Sequence, residues 1–391
     1  MKIVIVGAGT GGITVAARLQ NKKIPGCKIF LLDPAEKHFY QPLWTLVGAG
    51  VFSHESSERE MGSLIPKNVE WVKKGVSSFD PENDCITLSD NSKMKYDVLV
   101  VAAGMQLNWE KIKGAKEALN TPYVCSNYIT YGSTKTWQVM QQTESGNAIF
   151  TQPPLPIKCA GAPQKATYLA DDYFRSKGIR KNINVMFANH GARIFGVEKY
   201  RIALEKVVKE KEIDTRFEHN LIEVKSSEKI AVFERANKEI VEIPYSMLHI
   251  VPPMSAPDFI KSSSLADAQG WVDVDKFTMQ HNRFKNVFSL GDCSSLPTSR
   301  TGAAIRKEAP VLVENIVEFL DKKTLSHKYD GYSSCPLVTS RGRVILAEFD
   351  YDGKPAETFP FDQSKERWSM WLLKAYLLPK LYWNGMLKGR G

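Results

Sequence analysis

The chain has 391 residues, more than one ordinary core holds, and its 43% hydrophobic and 24% charged residues are typical of a globular protein. The net charge of +9 is spread along the chain, which argues against a nucleic-acid-binding stripe. No run approaches the ~20 apolar residues that a spanning helix requires. The six cysteines lack the spacing of a zinc site, so no metal is predicted.

The first strand, predicted over residues 2–6, leads directly into a GxGxxG motif and a helical pattern over residues 13–20. This arrangement binds dinucleotides, because the glycines let the backbone and a helix N-terminus approach a pyrophosphate. A second strand over residues 28–32 ends in Asp33, where a carboxylate usually holds the adenosine ribose. The motif glycines are Gly7, Gly9 and Gly12.

Two later segments favour FAD over NAD. An apolar strand over residues 98–101 runs into Gly104 and resembles a short motif of flavin disulfide reductases. Residues 287–292 resemble the second FAD signature of that fold, in which Asp292 would bind the ribityl chain. The helix that follows, near residues 301–306, would direct its positive N-terminus at the flavin.

A second Rossmann-like half is predicted from a strand over residues 184–188 and a helix over residues 199–211. The connection between them contains only Gly191 and Gly196, so the pyrophosphate cradle of a nicotinamide site is missing. We therefore expect that NAD(P)H is not the electron donor. This weakens the alternative interpretation, an NADH:quinone flavin reductase.

Two cysteines stand in unusual contexts. Cys159 follows a proline-rich approach and Lys158, and precedes a helix predicted over residues 165–175, a setting that stabilises a thiolate. Cys335 is predicted to lie in a loop ahead of a strand over residues 337–339. A lone cysteine is usually inert, so each context by itself leaves a packing role open.

Five segments together resemble the sulfide:quinone oxidoreductase family, closest to its mitochondrial-type branch. They are residues 7–12, 38–50, 158–165, 331–339 and 359–367. The resemblance implies that Cys159 and Cys335 form a redox-active disulfide that hydrogen sulfide opens, leaving a persulfide on Cys335. It also implies that the sulfane sulfur passes to glutathione or sulfite, while electrons pass through FAD to ubiquinone or a similar quinone.

The resemblance also implies FAD contacts at Gly11, Gly12, Asp33, Gln41, Val76 and Asp292. The sequence motifs add Gly7, Gly9 and Gly104 to the predicted FAD site. Near the quinone we expect the aromatic residues Phe359, Phe361 and Tyr382, with Lys365 close to the quinone carbonyl or the flavin. Some branches use a third cysteine, but the surroundings of Cys125 match the branch with two; Cys293 is interpreted as packing.

The C-terminal region is rich in Trp, Tyr, Leu and basic residues from residue 361 onward. Two short amphipathic helices separated by Pro379 would enter one leaflet without spanning it; a helical cap on the core or a homodimer interface is the alternative. We expect a peripheral, monotopic membrane protein, of the mitochondrial inner membrane in a eukaryote (its leader absent from this chain) or of a bacterial inner membrane. Longer family members continue past this region, so a reduced membrane affinity is expected.

The predicted fold class is α/β, with two Rossmann-like domains of the FAD/NAD(P)-binding type and a C-terminal membrane-contact region. The FAD domain would comprise residues 1–115 and 250–330, the second domain residues 116–249, and the redox-cysteine and quinone region residues 331–391. A flavin-bearing sulfide sensor without turnover is the alternative from another functional class.

Overall fold

The computed structural model describes residues 1–390. Its first sheet has five parallel strands, and their apolar side chains are buried as expected for a sheet covered on both faces. The predicted strands over residues 2–6, 28–32 and 98–101 are confirmed. The strand order across the sheet is Val287–Ser289, Val98–Val101, Lys2–Val6, Lys28–Leu32 and Val69–Val72.

Two helices that pack against each other lie beside the crevice of this sheet. They are Thr10–Lys22 and Gly302–Leu320, both longer than the sequence pattern predicted. Strands Lys28–Leu32 and Val69–Val72 lie on one side of Lys2–Val6, and Val98–Val101 lies on the other side. Ligands of doubly wound sheets bind at such a switch point, outside the carboxyl ends of the strands.

A second parallel sheet of five strands repeats this plan, and the predicted strand and helix of the second half are confirmed to within one residue. Its helices are Gly132–Gln142, Ala162–Ser176 and Glu198–Glu210. Its strand order is Val124–Cys125, Met247–His249, Gly146–Gln152, Ile183–Asn189 and Asp214–Phe217.

Smaller elements surround the two sheets. The antiparallel strands are Lys37–Phe39 with Glu58–Glu60, Val76–Asp80 with Cys85–Leu88 and Lys93–Lys95, Gln106–Leu107 with Met254–Ser255, and His219–Lys225 with Ile230–Arg235 and Ile240–Pro244. The short helices are Trp44–Val47, Ala115–Ala118 and Asp258–Lys261.

An antiparallel pair of strands, Ser333–Ser340 and Arg343–Phe349, forms a hairpin that we call the cysteine hairpin. Cys335 lies inside its first strand, opposite Ala347, so the prediction of a loop at this position is wrong. Pro336 follows it within the same strand. The hairpin packs on helix Ala162–Ser176 of the second half.

The C-terminal helix runs through residues 368–384 without a break, so the predicted separation at Pro379 is wrong. It consists of Trp368–Leu372, a π-helical turn at Leu373–Leu377, and Leu378–Asn384, followed by the 3₁₀ turn Met386–Lys388. Pro379 lies at the start of the last α-helical segment, where its missing N–H is tolerated. None of the helices in residues 1–390 has the length and apolar character that crossing a membrane requires.

The second half is held together by a buried carboxylate. Asp171 is fully buried and accepts from Arg175 Nε at 3.0 Å, Arg180 Nε at 2.5 Å and Lys211 Nζ at 3.0 Å. We predict that Asp171→Asn destabilises the protein by roughly 3 kcal/mol, because the partly buried Arg180 and Lys211 lose their buried counter-charge. The urea midpoint measures this, with Glu205→Gln, which removes an exposed ion pair of the same half, as the control. Equal midpoints for both variants would contradict it.

Candidate active site

The glycine loop, residues 7–12, connects the first strand to helix Thr10–Lys22 in a geometry that requires glycine. Gly7 has φ +96°, and a Cβ on Gly12 would lie 1.8 Å from the Gly7 carbonyl oxygen. A Cβ on Gly9 would meet nothing within 4 Å, and the same is true of Gly104 and Gly302. The loop therefore leaves open space beside its backbone, as a phosphate cradle must.

Asp33 follows the second strand and supports this loop. Its Oδ2 accepts from the Ala8 amide at 2.7 Å and its Oδ1 accepts from the Ala35 amide at 2.8 Å. The carboxylate is half-buried, and each oxygen keeps a second lone pair for a ribose hydroxyl. The predicted role of Asp33 therefore fits its position.

The second predicted FAD signature is held by a buried acid that the sequence analysis did not identify. Glu308 Oε2 accepts from the Gly291 amide at 2.8 Å, and burial raises the pKa of Glu308 to about 8. Burial also raises the pKa of the neighbouring Asp292. Thr301 caps helix Gly302–Leu320 by accepting from the Ala304 amide at 3.1 Å, so the helix begins where the sequence predicted. These residues fit the flavin side of an FAD site.

The structure brings Cys159 and Cys335 together, with their sulfur atoms 3.9 Å apart as free thiols. Cys159 has φ +48° and donates its backbone N–H to the Arg300 carbonyl at 2.9 Å. A Cβ on Gly161 would lie 2.4 Å from the Cys335 sulfur. Glycine at this position is therefore what allows the cysteine hairpin to approach the segment that contains Cys159.

Lys165, rather than the predicted Lys158, is the cation of this pair. Its Nζ lies 3.3 Å from the Cys159 sulfur and 3.9 Å from the Cys335 sulfur, whereas the Lys158 ammonium donates to Gln41 Oε1 at 3.3 Å. Lys165 is in the first turn of helix Ala162–Ser176, and helical side chains point towards the N-terminus. A lysine in the first turn of the helix that follows Cys159 is therefore the sequence feature that could have identified Lys165.

The groups around the two thiols shift their pKa values in opposite directions. A hydrogen bond from Cys335 and the Lys165 ammonium hold the pKa of the Cys159 thiol well below its usual value. The hydrogen bond to Cys159 and burial raise the pKa of Cys335. Cys159 is therefore the thiolate of the reduced pair, and Cys335 is the protonated partner.

A second lysine comes from the C-terminal helix. Lys374 is 2% exposed and donates to the Pro42 carbonyl at 2.7 Å. Burial and the charge of Lys165 lower its pKa to about 7, while the two cysteines act in the opposite direction. No local pattern identifies this residue, because only folding brings the C-terminal helix to the thiols.

The other cysteines that the sequence analysis discussed are buried away from this chemistry. Cys125 donates to the Leu248 carbonyl at 3.7 Å, and burial raises its pKa to about 12. Cys293 contacts the Val101 carbonyl and Ser289 within the core of the first sheet. Both behave as packing residues, and the interpretation of Cys293 is confirmed.

Side-chain hydrogen bonds hold the connection of the second half where a nicotinamide site would have its glycine loop. Asn189 Oδ1 accepts from the Gly191 amide at 2.9 Å, and Gln164 donates to the Ile194 carbonyl at 2.5 Å. Near the start of helix Glu198–Glu210, Lys199 pairs with Glu357 at 2.8 Å. The Lys199 ammonium is therefore already paired with carboxylates and is not free to bind a nucleotide phosphate.

Two other predicted FAD contacts and the predicted quinone residues lie in separate parts of the structure. Val76 is half-buried at the start of its strand, and Lys365 is exposed ahead of the C-terminal helix. Phe359 and Phe361 stack with centroids 5.3 Å apart. Phe359 lines an apolar cavity of about 500 Å³ together with Ser369, Met370, Leu372, Leu373, Tyr376, Leu377 and Lys380. Tyr382 lies instead against the glycine loop.

A sequence profile of the pyridine nucleotide-disulphide oxidoreductases matches residues 1–313. The mitochondrial sulfide:quinone oxidoreductase of Mus musculus is 47% identical over 99% of this chain and 86% of its own length. The chain belongs to the sulfide:quinone oxidoreductase family. The Dictyostelium discoideum member is 48% identical over 100% of this chain and 86% of its own length.

The fold agrees with that family. The crystal structure of the sulfide:quinone oxidoreductase from Aquifex aeolicus superposes with a TM-score of 0.83, at 20% identity, over 100% of this chain and 92% of that one. The predicted α/β fold class and the family resemblance are confirmed. Members of this family are FAD-dependent flavoproteins, and the open glycine loop with Asp33 and Asp292 fits that cofactor.

We predict that Lys165→Met raises the pKa of Cys159, because the thiolate loses its nearest counter-charge. The measurement is the pH dependence of alkylation of the reduced protein, located on Cys159 by mass spectrometry. As the pH is lowered, Lys165→Met should lose the reactive thiolate at a higher pH than the wild-type protein does. Lys158→Met, whose ammonium contacts Gln41 instead, is the control. An unchanged midpoint in Lys165→Met would contradict the assignment.

Proposed function

We propose that this protein is an enzyme that oxidises hydrogen sulfide with the Cys159/Cys335 pair and delivers the electrons, through FAD, to a membrane quinone. The observation that carries the proposal is the meeting of two sulfurs 3.9 Å apart beside the buried Lys165 ammonium. A cationic, partly enclosed dithiol suits a small anionic substrate such as HS⁻.

The first step uses the pair as a disulfide. HS⁻ attacks the Cys335 sulfur, the bond between the two cysteine sulfurs breaks, and Cys159 leaves as a thiolate while Cys335 becomes a persulfide. The low pKa of Cys159 makes it the better leaving group. Lys165, at 3.3 Å from that sulfur, stabilises the negative charge as it develops.

The second step transfers sulfur. A small nucleophile, glutathione or sulfite, attacks the outer sulfur of the Cys335 persulfide, and the Cys335 thiolate leaves. Re-formation of the disulfide from the Cys159 thiolate and the Cys335 thiol releases one proton and two electrons, for which bound FAD would be the acceptor. Lys165 and Lys374 hold the charge of this reduced state.

FAD, when bound, supplies the two-electron acceptor between the dithiol and the quinone. The residues that would hold it are Gly7, Gly9, Gly11, Gly12, Asp33, Gln41, Val76, Gly104, Asp292 and Lys365. Residues 1–115 and 250–330 would form its domain, residues 116–249 the second domain, and residues 331–391 the redox-cysteine and quinone region. The sheet order supports this division, because strand Val287–Ser289 joins the sheet of the N-terminal strands.

The C-terminal helix supports a peripheral membrane location. Its outer face exposes Trp368 at 65%, Tyr376 at 50%, Leu377 at 49% and Leu381 at 50%. The apolar cavity at Phe359 opens on the same helix, and would receive the quinone from one leaflet. The membrane would be the mitochondrial inner membrane in a eukaryote or the inner membrane of a bacterium. Homodimer formation stays a prediction.

We predict that sulfide, added without oxygen, bleaches the flavin absorbance of the wild-type protein, and that NADH does not. Cys159→Ser and Cys335→Ser should lose this response, since each leaves a single sulfur and no disulfide to open. Addition of a soluble quinone should restore the absorbance. Stopped-flow spectrophotometry measures each of these absorbance changes.

Three other outcomes would contradict the proposal. Bleaching by NADH in wild type and both variants, with sulfide inert, would favour an NADH:quinone reductase. Bleaching by sulfide without reoxidation by quinone would favour a sulfide sensor. A sulfide response that survives in both cysteine variants would exclude the disulfide route.

We predict that the double variant Leu377→Ser/Leu381→Ser partitions at least about tenfold less into phosphatidylcholine–phosphatidylglycerol vesicles, because two exposed apolar side chains no longer enter the leaflet. Cosedimentation measures the bound fraction. The control is Ile202→Ser/Ile240→Ser, which removes apolar side chains that are 57% and 53% exposed elsewhere. Equal loss in both double variants would contradict a specific membrane face.

A further inference from the structure

The C-terminal helix reaches the glycine loop through one buried side chain. Tyr382 is 4% exposed, and its hydroxyl lies 2.9 Å from Thr10 Oγ1 and 2.5 Å from His38 Nε2. Thr10 is the first residue of the helix that begins in the glycine loop. His38 Nδ1 lies 3.1 Å from the Ala8 carbonyl oxygen, inside the loop itself.

The direction of each hydrogen bond follows from the chemistry of the groups. A carbonyl oxygen only accepts, so Nδ1 of His38 carries the proton and donates to Ala8. Burial lowers the pKa of His38 to about 4, so its Nε2 is unprotonated at neutral pH and accepts from the Tyr382 hydroxyl. The Tyr382 oxygen therefore accepts from Thr10. Two positions of the glycine loop region, Ala8 and Thr10, are thus held from the C-terminal side.

Further contacts attach the end of the C-terminal region along helix Thr10–Lys22. Asn21 Nδ2 donates to the Lys388 carbonyl at 3.1 Å, and a Cβ on Gly389 would lie 2.9 Å from the Ala17 carbonyl carbon. The ring of Tyr382 lies 4.5 Å, centroid to centroid, from that of Tyr40. The segment of residues 382–389 therefore lies along helix Thr10–Lys22, from its first turn to its last.

We propose that Tyr382 and His38 are positioning residues that hold the glycine loop in its FAD-binding geometry, so that FAD binding and docking of residues 382–389 stabilise each other. The inference rests on the FAD-binding part of the proposed function and is independent of the electron donor. Coupling between two binding events is reciprocal, so the factor by which docking strengthens FAD binding equals the factor by which FAD strengthens docking.

The test is FAD affinity of the apoprotein, measured by quenching of flavin fluorescence. Tyr382→Phe removes one hydroxyl and keeps the ring, so we expect FAD to bind about 3- to 10-fold more weakly, in line with the worth of one buried hydrogen bond. Tyr123→Phe, at a residue of the second half that is 38% exposed, should bind FAD like wild type. The melting temperature of each apoprotein is measured in parallel.

Hydrogen exchange at the backbone amides of residues 380–388 gives the second measurement. We expect slower exchange in FAD-loaded wild type than in apoprotein, and a smaller difference in Tyr382→Phe. Unchanged FAD affinity in Tyr382→Phe, with a lower melting temperature of the apoprotein, would assign Tyr382 a purely structural role and overturn the coupling. Equal exchange with and without FAD would also overturn it. Wild-type apoprotein that bound no FAD would instead overturn the proposed function along with it.

Discussion

The buried ammonium of Lys165 is the interaction on which the active site depends. The side chain is 3% exposed, and an unpaired charge at such a position costs several kcal/mol. In the reduced protein the Cys159 thiolate, 3.3 Å away, is its counter-charge. When the two sulfurs are joined as a disulfide, this counter-charge is gone. The oxidised site therefore attracts an anion, and HS⁻ is an anion small enough to reach the sulfurs.

The second half of the molecule has the architecture of a nucleotide-binding domain but serves the thiols instead. Its helix Ala162–Ser176 supplies Lys165, and Gly161, just ahead of that helix, leaves the space that the Cys335 sulfur occupies. The connection that would hold a pyrophosphate lacks the GxGxxG glycines and is held by its own hydrogen bonds.

The sequence predicted what depends on local pattern. Buried strands such as Lys2–Val6 are continuous apolar runs, and the glycine loop is specified by steric limits that are visible as glycines. It did not predict Lys374 or Glu308, because their roles come from tertiary contacts with residues far along the chain. The unbroken helix through Pro379 was missed because a π-helical turn just before the proline accommodates it.

The C-terminal helix combines two requirements that usually belong to separate elements. Residues at helical spacing on one side, including Lys374 and Tyr382, are buried against the thiols and the glycine loop. Residues on the other side, including Tyr376 and Leu381, are exposed and apolar. Large apolar side chains make up most of this exposed side, and Ser369, Lys380 and Asn384 are its exposed polar residues. Contact with a leaflet would cover that face, and would place the quinone-side surface and the cofactor-side contacts on opposite sides of one rigid element.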